Sequence, residues 1–292
     1  MFTLLLLLIS FLASWDAPEP AAAVQPVVQR NVVYAQRDWT LDRRTSLDVY
    51  IPGDDAKERA IVVYVHGGGW SIGDKHRVHQ KPKWANGNGW ILVSVNYRLS
   101  PRVRHPEHAR DVSAAIAHVR THAREWGGDP EQIVLMGHSA GAHLAAIVAS
   151  EETLLAEHGL APTDLRGVVL LDGAGYDLPT QMASPLLRGQ VRRMYNAAFS
   201  DDPELWVRAS PTLQAEPGDE LPPLLAVHVG NRVRSHVESE ALVKAWAKTG
   251  AESIRHHAPG KDHRGINVKL GAENDPDTEV IQRFLQSVFE AE

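Results

Sequence analysis

Near the middle of the chain stands Gly137-His138-Ser139-Ala140-Gly141. An apolar run, Ile133–Met136, precedes it and an alanine-rich run, Ala142–Ala149, follows it, which is the order strand, sharp turn, helix. Gly-x-Ser-x-Gly in this setting is typical of a nucleophile elbow, in which the turn exposes the serine hydroxyl at a helix N-terminus. The flanking glycines are needed because strand and helix pack too closely for Cβ atoms. Ser139 is therefore the candidate nucleophile.

A second glycine-rich stretch follows a strand upstream of the elbow. The continuous run Ala60–Val65 is typical of a strand buried on both faces, and it leads directly into His66-Gly67-Gly68-Gly69-Trp70. Three successive glycines cost backbone entropy, which indicates that a bare backbone is required there. We interpret the stretch as an oxyanion loop, in which two N–H groups and that of Ala140 converge on the oxygen of a tetrahedral intermediate.

A serine hydroxyl needs a base to take its proton. The chain has 15 histidines, so position rather than presence must select one. His263 lies in a glycine- and proline-containing turn after the last predicted strand, Ser253–His257, and the order serine, acid, histidine is that of the α/β-hydrolases. His138 lies across a sharp turn from Ser139 and is interpreted as a wall of the site.

Composition excludes several classes of function. The chain has 292 residues, with 30 Lys and Arg against 36 Asp and Glu, and a net charge of -6. This mild acidity, without a basic run, predicts no nucleic-acid partner. The absence of cysteine excludes disulfides, thiolate metal sites and a cysteine nucleophile. A serine nucleophile with a histidine base needs neither metal nor organic cofactor, and we expect none.

The N-terminus resembles a targeting segment. Residues 2–13 are nearly all apolar, too few to span a bilayer comfortably, and small residues follow up to Ala23. We expect a signal peptide within residues 1–23, a domain over 24–292, a secreted or periplasmic protein, and no stable membrane insertion after cleavage. A basic segment before the apolar run is missing, so an uncleaved membrane anchor and a misassigned start codon stay open.

The pattern of the remaining chain alternates between strands and helices. It predicts an α/β fold with a mostly parallel, doubly wound sheet and helices on both faces. A helix is expected from Asp111 to Trp126. Residues 179–216 are loop-rich, and we predict a small cap there. Its apolar residues could line an acyl pocket or simply pack the cap onto the body: Met182, Leu186, Leu187, Met194, Tyr195, Phe199 and Trp206.

Over about residues 45–290 the chain resembles the esterase/lipase branch of the α/β-hydrolases with an HGGG motif. It is similar to hormone-sensitive-lipase-like carboxylesterases and kynurenine-formamidase-like esterases. The resemblance implies Ser139 as nucleophile, His263 as base, and Gly68, Gly69 and Ala140 as oxyanion donors. The residues that carry it are His66–Trp70, Asn96–Leu99, Gly128–Pro130, Gly137–Gly141, Tyr176–Leu178 and Gly260–His263.

The resemblance also implies an acid shortly after the strand that ends at Gly230, and the chain departs from it there. Residues 231–237 hold no carboxylate, and an arginine stands where the acid would be expected. Three alternatives stay open. The acid is Asp172 at the end of the preceding strand, as in the pancreatic-lipase-like branch; it is Glu238, one helical turn further on; or there is none, with an activity loss on the order of 10⁴-fold.

The sequence therefore predicts a serine carboxylester hydrolase that acts on small or medium ester molecules through an acyl-enzyme. Two alternatives accompany this prediction. The same residues could hydrolyse amides or formamides. The scaffold could also be weakly active or non-catalytic and act as a binding module, which the unassigned acid favours and the two glycine motifs oppose.

Overall fold

The computed structural model describes residues 25–35, 43–185, 187, 189–230 and 232–291. The expected signal peptide and Leu186 lie outside these residues. Among the helices described, none has the length and apolar character needed to cross a membrane.

The described strands form one eight-stranded sheet in the order β1-β2-β4-β3-β5-β6-β7-β8. The pairs β1–β2 and β2–β4 are antiparallel, and every later pair is parallel. This arrangement confirms the expected α/β-hydrolase fold with a mostly parallel sheet. The strands are β1 Val27–Val33, β2 Ser46–Ile51, β3 Arg59–Val65, β4 Ile91–Val95, β5 Gly128–His138, β6 Gly167–Leu171, β7 Leu224–Val229 and β8 Ser253–Ala258.

The central strands are buried on both faces, as their continuous apolar runs predict. Because side chains alternate along a strand, Ile61 and Val63 face one hydrophobic core, and Val62 and Tyr64 face the other. Helices α2, α3 and α9 cover the first core, while α1, α10 and α11 cover the second. The helices are α1 Lys81–Gly87, α2 Glu107–His122, α3 Ala140–Ser150, α4 Glu152–Ala156, α5 Leu178–Ala183, α6 Gly189–Phe199, α7 Pro203–Arg208, α8 Pro211–Gln214, α9 Val233–Ala247, α10 Gly265–Val268 and α11 Pro276–Glu290.

The carboxyl ends of the parallel strands lie along one edge of the sheet, and the loops that follow them meet there. The parallel register places Val65 beside Gly137, and His138 beside Leu171. The glycine-rich loop after β3, the elbow after β5 and Asp172 after β6 are therefore neighbours.

The region predicted as a cap consists of the four short helices α5 to α8 and their connections. Helix α6 packs its aromatic face on Trp70, with ring centroids 5.4 Å away for Tyr195 and 4.8 Å away for Phe199. These contacts place α6 directly above the loop that follows β3.

Candidate active site

Ser139 occupies the sharp turn between β5 and α3, with φ 54° and ψ -119°. A non-glycine residue at positive φ is strained and persists only where its surroundings enforce it. Here the flanking glycines do so. A Cβ on Gly137 would lie 2.1 Å from the Gly141 carbonyl oxygen, and one on Gly141 would lie 2.2 Å from the Val65 carbonyl oxygen. The tight packing of strand against helix therefore fixes the elbow and presents the hydroxyl to the cleft.

Three of the residues singled out by sequence come together above this turn. The Nε2 atom of His263 lies 3.0 Å from Ser139 Oγ, and its Nδ1 atom lies 2.6 Å from Asp172 Oδ2. The arrangement fits the tautomer in which Nδ1 donates to the carboxylate and Nε2 accepts from the hydroxyl. Such a serine–histidine–carboxylate arrangement can activate the hydroxyl as a nucleophile.

Asp172 is fully buried at the end of β6. Its Oδ1 atom accepts a hydrogen bond from the Ser235 hydroxyl and one of 3.3 Å from the Val229 amide. Burial alone would raise the pKa of this carboxyl. Hydrogen bonds from His263 and Ser235, with the nearby Arg232 charge, outweigh burial and hold the pKa well below its usual range. Asp172 is therefore ionised at every pH at which the protein would work.

Arg232 stands in the loop where the resemblance implies the acid. Its Nη1 atom lies 2.5 Å from Asp172 Oδ2, 3.2 Å from the Asp172 carbonyl oxygen and 2.6 Å from His263 Nδ1. When Nδ1 carries the proton donated to Asp172, it has no free lone pair for Arg232. The guanidinium then donates to Asp172 Oδ2 and to the Asp172 carbonyl oxygen, and its positive charge partly neutralises the carboxylate. Sequence reasoning noted the arginine but did not foresee this contact.

Glu238, the other candidate acid, has a different task. It is buried in α9 and accepts hydrogen bonds of 2.6 Å from the Gly175 amide and 3.1 Å from the Tyr176 amide, and a third from the Gln181 side chain. Burial raises its pKa to about 7. Its carboxyl thus fastens the loop after β6 to α9 and α5, and its hydrogen-bond partners do not include His263.

The predicted oxyanion donors border the same cleft as Ser139. The loop is closed by hydrogen bonds from the Ser71 and Ile72 amides to the Gly68 carbonyl oxygen. A Cβ on Gly68 would lie only 1.9 Å from the Ile72 carbonyl oxygen. Within the described residues the amides of Gly68 and Gly69 donate to no protein acceptor. The Ala140 amide belongs to the first turn of α3, where N–H groups lack helical partners. All three donors are therefore available to a bound oxygen.

The cleft above Ser139 has a volume of about 660 Å³. One side is apolar and consists of Trp70, Val191, Met194 and Tyr195. Two of the residues proposed for an acyl pocket, Met194 and Tyr195, thus line it. Met182, Leu187 and Phe199 are instead buried in the core between cap and body, and Trp206 packs against that core.

His138 forms part of the wall, as expected. Its Nε2 atom lies 2.8 Å from the His263 carbonyl oxygen, and burial lowers its pKa to about 3, so it stays neutral. In the part of the chain that the structure describes, no three His, Asp or Glu side chains are grouped so that they could hold a metal ion.

Comparison with known proteins shows the family of the chain. Residues 47–232 match the model of the BD-FAE family. The chain is 31% identical over 261 residues to the esterase LipQ of Mycobacterium tuberculosis. This alignment covers 85% of the chain and 60% of LipQ. It is 27% identical over 292 residues to the esterase LipC of the same organism, and this alignment covers 94% of the chain and 70% of LipC. The chain thus spans less than two thirds of the length of LipQ.

Solved structures share the fold. A truncated carbohydrate esterase from gut microbiota superposes with a TM-score of 0.76 at 20% identity, covering 93% of this chain and 99% of that one. The thermophilic carboxylesterase EstE1, from a metagenomic library, superposes with a TM-score of 0.67 at 24% identity. The superposition covers 94% of this chain and 90% of EstE1. At these identities the likeness concerns the fold.

Proposed function

The chain belongs to the BD-FAE family within the α/β-hydrolases, and from this premise we propose that it is a serine carboxylester hydrolase acting through an acyl-enzyme. The observation that carries the proposal is the continuous contact from Ser139 Oγ to His263 Nε2, 3.0 Å, and from His263 Nδ1 to Asp172 Oδ2, 2.6 Å. The names of LipQ and LipC, both esterases, support it.

The reaction begins when Ser139 Oγ attacks the ester carbonyl carbon while its proton passes to His263 Nε2. The negative charge that develops on the carbonyl oxygen is stabilised by the amides of Gly68, Gly69 and Ala140. Asp172 stabilises the imidazolium and keeps its ring oriented. Collapse of the intermediate breaks the bond to the alcohol oxygen, which takes the proton from His263 and leaves as the alcohol.

Water completes the cycle by the same steps. His263 takes a proton from the water, and the resulting hydroxide adds to the acyl carbon. The carboxylic acid then leaves as His263 returns the proton to Ser139 Oγ. The cleft of about 660 Å³ and its apolar side formed by α6 suit small or medium ester molecules rather than polymers.

A series of p-nitrophenyl esters from acetate to octanoate tests the proposal. We expect turnover by the wild-type protein and a drop to near background for Ser139→Ala, because the nucleophile is lost while the fold is kept. Stoichiometric release of p-nitrophenol before steady state would report the acyl-enzyme. Equal background rates in both proteins would contradict the proposal and favour a binding module.

We further propose that the protein is exported, to the periplasm or the medium, after cleavage of a signal peptide. The apolar run over residues 2–13 supports this. N-terminal sequencing of the protein recovered from the periplasmic fraction and from the medium tests it. An intact N-terminus on protein found only inside the cell would contradict it.

A further inference from the structure

The cleft above Ser139 is opposite in charge to the chain as a whole. The chain has 36 acidic side chains against 30 Lys and Arg. None of the residues that line the cleft is Asp or Glu, whereas four are arginines: Arg77, Arg232, Arg234 and Arg264. Charges gathered in a cleft with low-dielectric walls focus the electric field there, which raises the local concentration of ligands of opposite sign.

Three of these four arginines have no carboxylate partner among the described residues: Arg77, Arg234 and Arg264. Arg232 pairs with Asp172. Some arginines elsewhere on the described surface are paired, as Arg110 with Glu157, Arg120 with Glu131 and Arg124 with Glu58, and others, such as Arg193, are not. What distinguishes the cleft is therefore the grouping of three such charges around one cavity whose lining contains no carboxylate.

Among the described residues, the carboxylates close in sequence to Arg77 and Arg264 form no ion pair with them. Asp74, close to Arg77 in sequence, pairs with Arg44 and His76. Asp262, next to His263, accepts a hydrogen bond of 2.6 Å from the Gly265 amide within its own turn. Burial and the positive charges of Lys81, Arg264 and Arg77 together lower the pKa of His79, which also lines the cleft.

The cleft has a basic side, with Arg77 and Arg264, and an apolar side, with Met194 and Tyr195. Arg264 directly follows His263, which returns its proton to the departing alcohol oxygen. Arg77 and His79 line the same cleft as Arg264, and the charges of both arginines act on the His79 imidazole. The alcohol part of an ester would thus lie beside these two arginines. The acyl part would lie along the apolar side formed by Met194 and Tyr195.

We propose that the substrate is an ester whose alcohol part carries a carboxylate or phosphate group, bound by Arg77 and Arg264. This inference rests on the proposed ester hydrolysis. Guanidinium groups bind both kinds of oxyanion through two parallel hydrogen bonds, and both arginines are exposed to an entering ligand. Neutral esters of the same shape leave these charges without a partner and bind more weakly.

The kinetic test compares aryl acetates that differ only in charge on the alcohol side. The anionic probes are 4-carboxyphenyl acetate and 4-(phosphonomethyl)phenyl acetate, and the neutral probe is 4-carbamoylphenyl acetate. In the Arg77→Gln/Arg264→Gln protein, the ratio of kcat/KM for anionic over neutral ester should fall roughly 10- to 100-fold, a loss of about 1.4–2.8 kcal/mol in total, since water replaces part of the lost interaction at these exposed sites. Arg283→Gln, on α11, is the matched control and should leave the ratio unchanged.

The position of the charge is tested with a second pair, p-nitrophenyl hemiglutarate and p-nitrophenyl hexanoate, which differ on the acyl side. Here we expect no dependence on Arg77 or Arg264. An arginine-dependent preference for the hemiglutarate alone would overturn the assignment to the alcohol side. An unchanged ratio for both pairs would overturn the inference itself.

A binding measurement separates this inference from the proposed hydrolysis. In Ser139→Ala, calorimetry should show 4-hydroxybenzoate binding more tightly than 4-hydroxybenzamide, and the Arg77→Gln/Arg264→Gln changes should remove the difference. Selective binding with no turnover in the wild type would contradict hydrolysis only. Turnover with equal binding of the two compounds would contradict the anionic substrate only.

Discussion

Asp172 combines a buried charge with a strained backbone. It is fully buried, at positive φ, and in contact with an arginine, a serine hydroxyl and the imidazole of His263. A buried charge is tolerated only when every lone pair has a partner. The hydrogen bonds to Asp172 meet that requirement, so its negative charge stays available to stabilise the imidazolium of the reaction.

Replacing Asp172 by Asn keeps the size of the side chain and removes its charge. We expect kcat for p-nitrophenyl butyrate to fall on the order of 10⁴-fold, because the imidazolium loses its counter-charge and the ring its favoured tautomer. Asp177→Asn in the same loop is the matched control. Asp177 caps α5 by accepting from the Thr180 amide, a task that Asn also performs, so turnover should persist. Full turnover by folded Asp172→Asn would remove Asp172 from the relay.

The sequence could point to Ser139, Gly68 and Gly69 because each motif fixes its own backbone. A tight strand–helix turn demands glycine on both sides, and the loop that holds Gly68 and Gly69 leaves no room for a Cβ at either position. The acid has no such local signature. Asp172 and Arg232 follow the neighbouring strands β6 and β7, and either strand end could reach His263. Choosing between them requires side-chain geometry, which sequence alone does not provide.

Helix α6 and the glycine-rich loop lie against each other so closely that they constrain one another. A Cβ on Gly69 would lie 2.2 Å from Met194 Sδ and 3.0 Å from its Cγ. The residue also has φ +57°, in the left-handed region that favours glycine. The position of the oxyanion amides therefore depends on the packing of the cap helix.

Gly69→Ala should reduce kcat for p-nitrophenyl esters roughly 100-fold, because alanine is strained at this φ and its methyl group also overlaps Met194, so the loop and one oxyanion donor shift. Met194→Ala alone opens space and should change kcat only a few-fold. The double variant should recover part of the loss, and the cycle of four proteins measures the coupling. Strictly additive effects would show that Met194 does not hold the loop in place.

The sequence predicts helix α2 with a late start and does not predict helix α1, and each difference has a physical reason. The sequence predicts a helix from Asp111, whereas α2 begins at Glu107. Asp111 instead lies inside the helix, where its carboxylate accepts hydrogen bonds of 2.7 and 2.8 Å from the Arg98 guanidinium. This partner comes from the preceding loop, so a residue typical of helix starts is stabilised within the helix. Helix α1 was not predicted, since its seven residues are too few to show a periodicity.

The order of strands in the sheet cannot be predicted from local sequence patterns. Apolar runs identify each central strand, but the placement of β4 between β2 and β3 depends on contacts between distant segments. The same limit applies to the link between cap and body. Nothing near Glu238 in sequence indicates that it is buried against the loop after β6, although that contact joins α9, α5 and the floor of the cleft.

This link makes the stability of the domain dependent on pH. Burial raises the pKa of Glu238 from 4.5 to about 7, so between these values the folded state holds a proton that the unfolded state has lost. The free energy of unfolding must then fall as pH rises through this window, by up to about 3 kcal/mol. Gln at this position cannot ionise, and its amide can donate to Gln181 Oε1, which has no partner among the described residues.

Urea unfolding of wild type and Glu238→Gln at pH 5, 6 and 7 measures this contribution. Because both proteins share every other titrating group, the difference between their unfolding free energies isolates Glu238. The two should be similarly stable at pH 5, and the variant should gain a growing advantage toward pH 7. Glu279→Gln, at an exposed site on α11, should follow the wild-type profile. A constant difference across the range would mean that Glu238 stays ionised in the fold, and that its charge is stabilised by the amides of Gly175 and Tyr176.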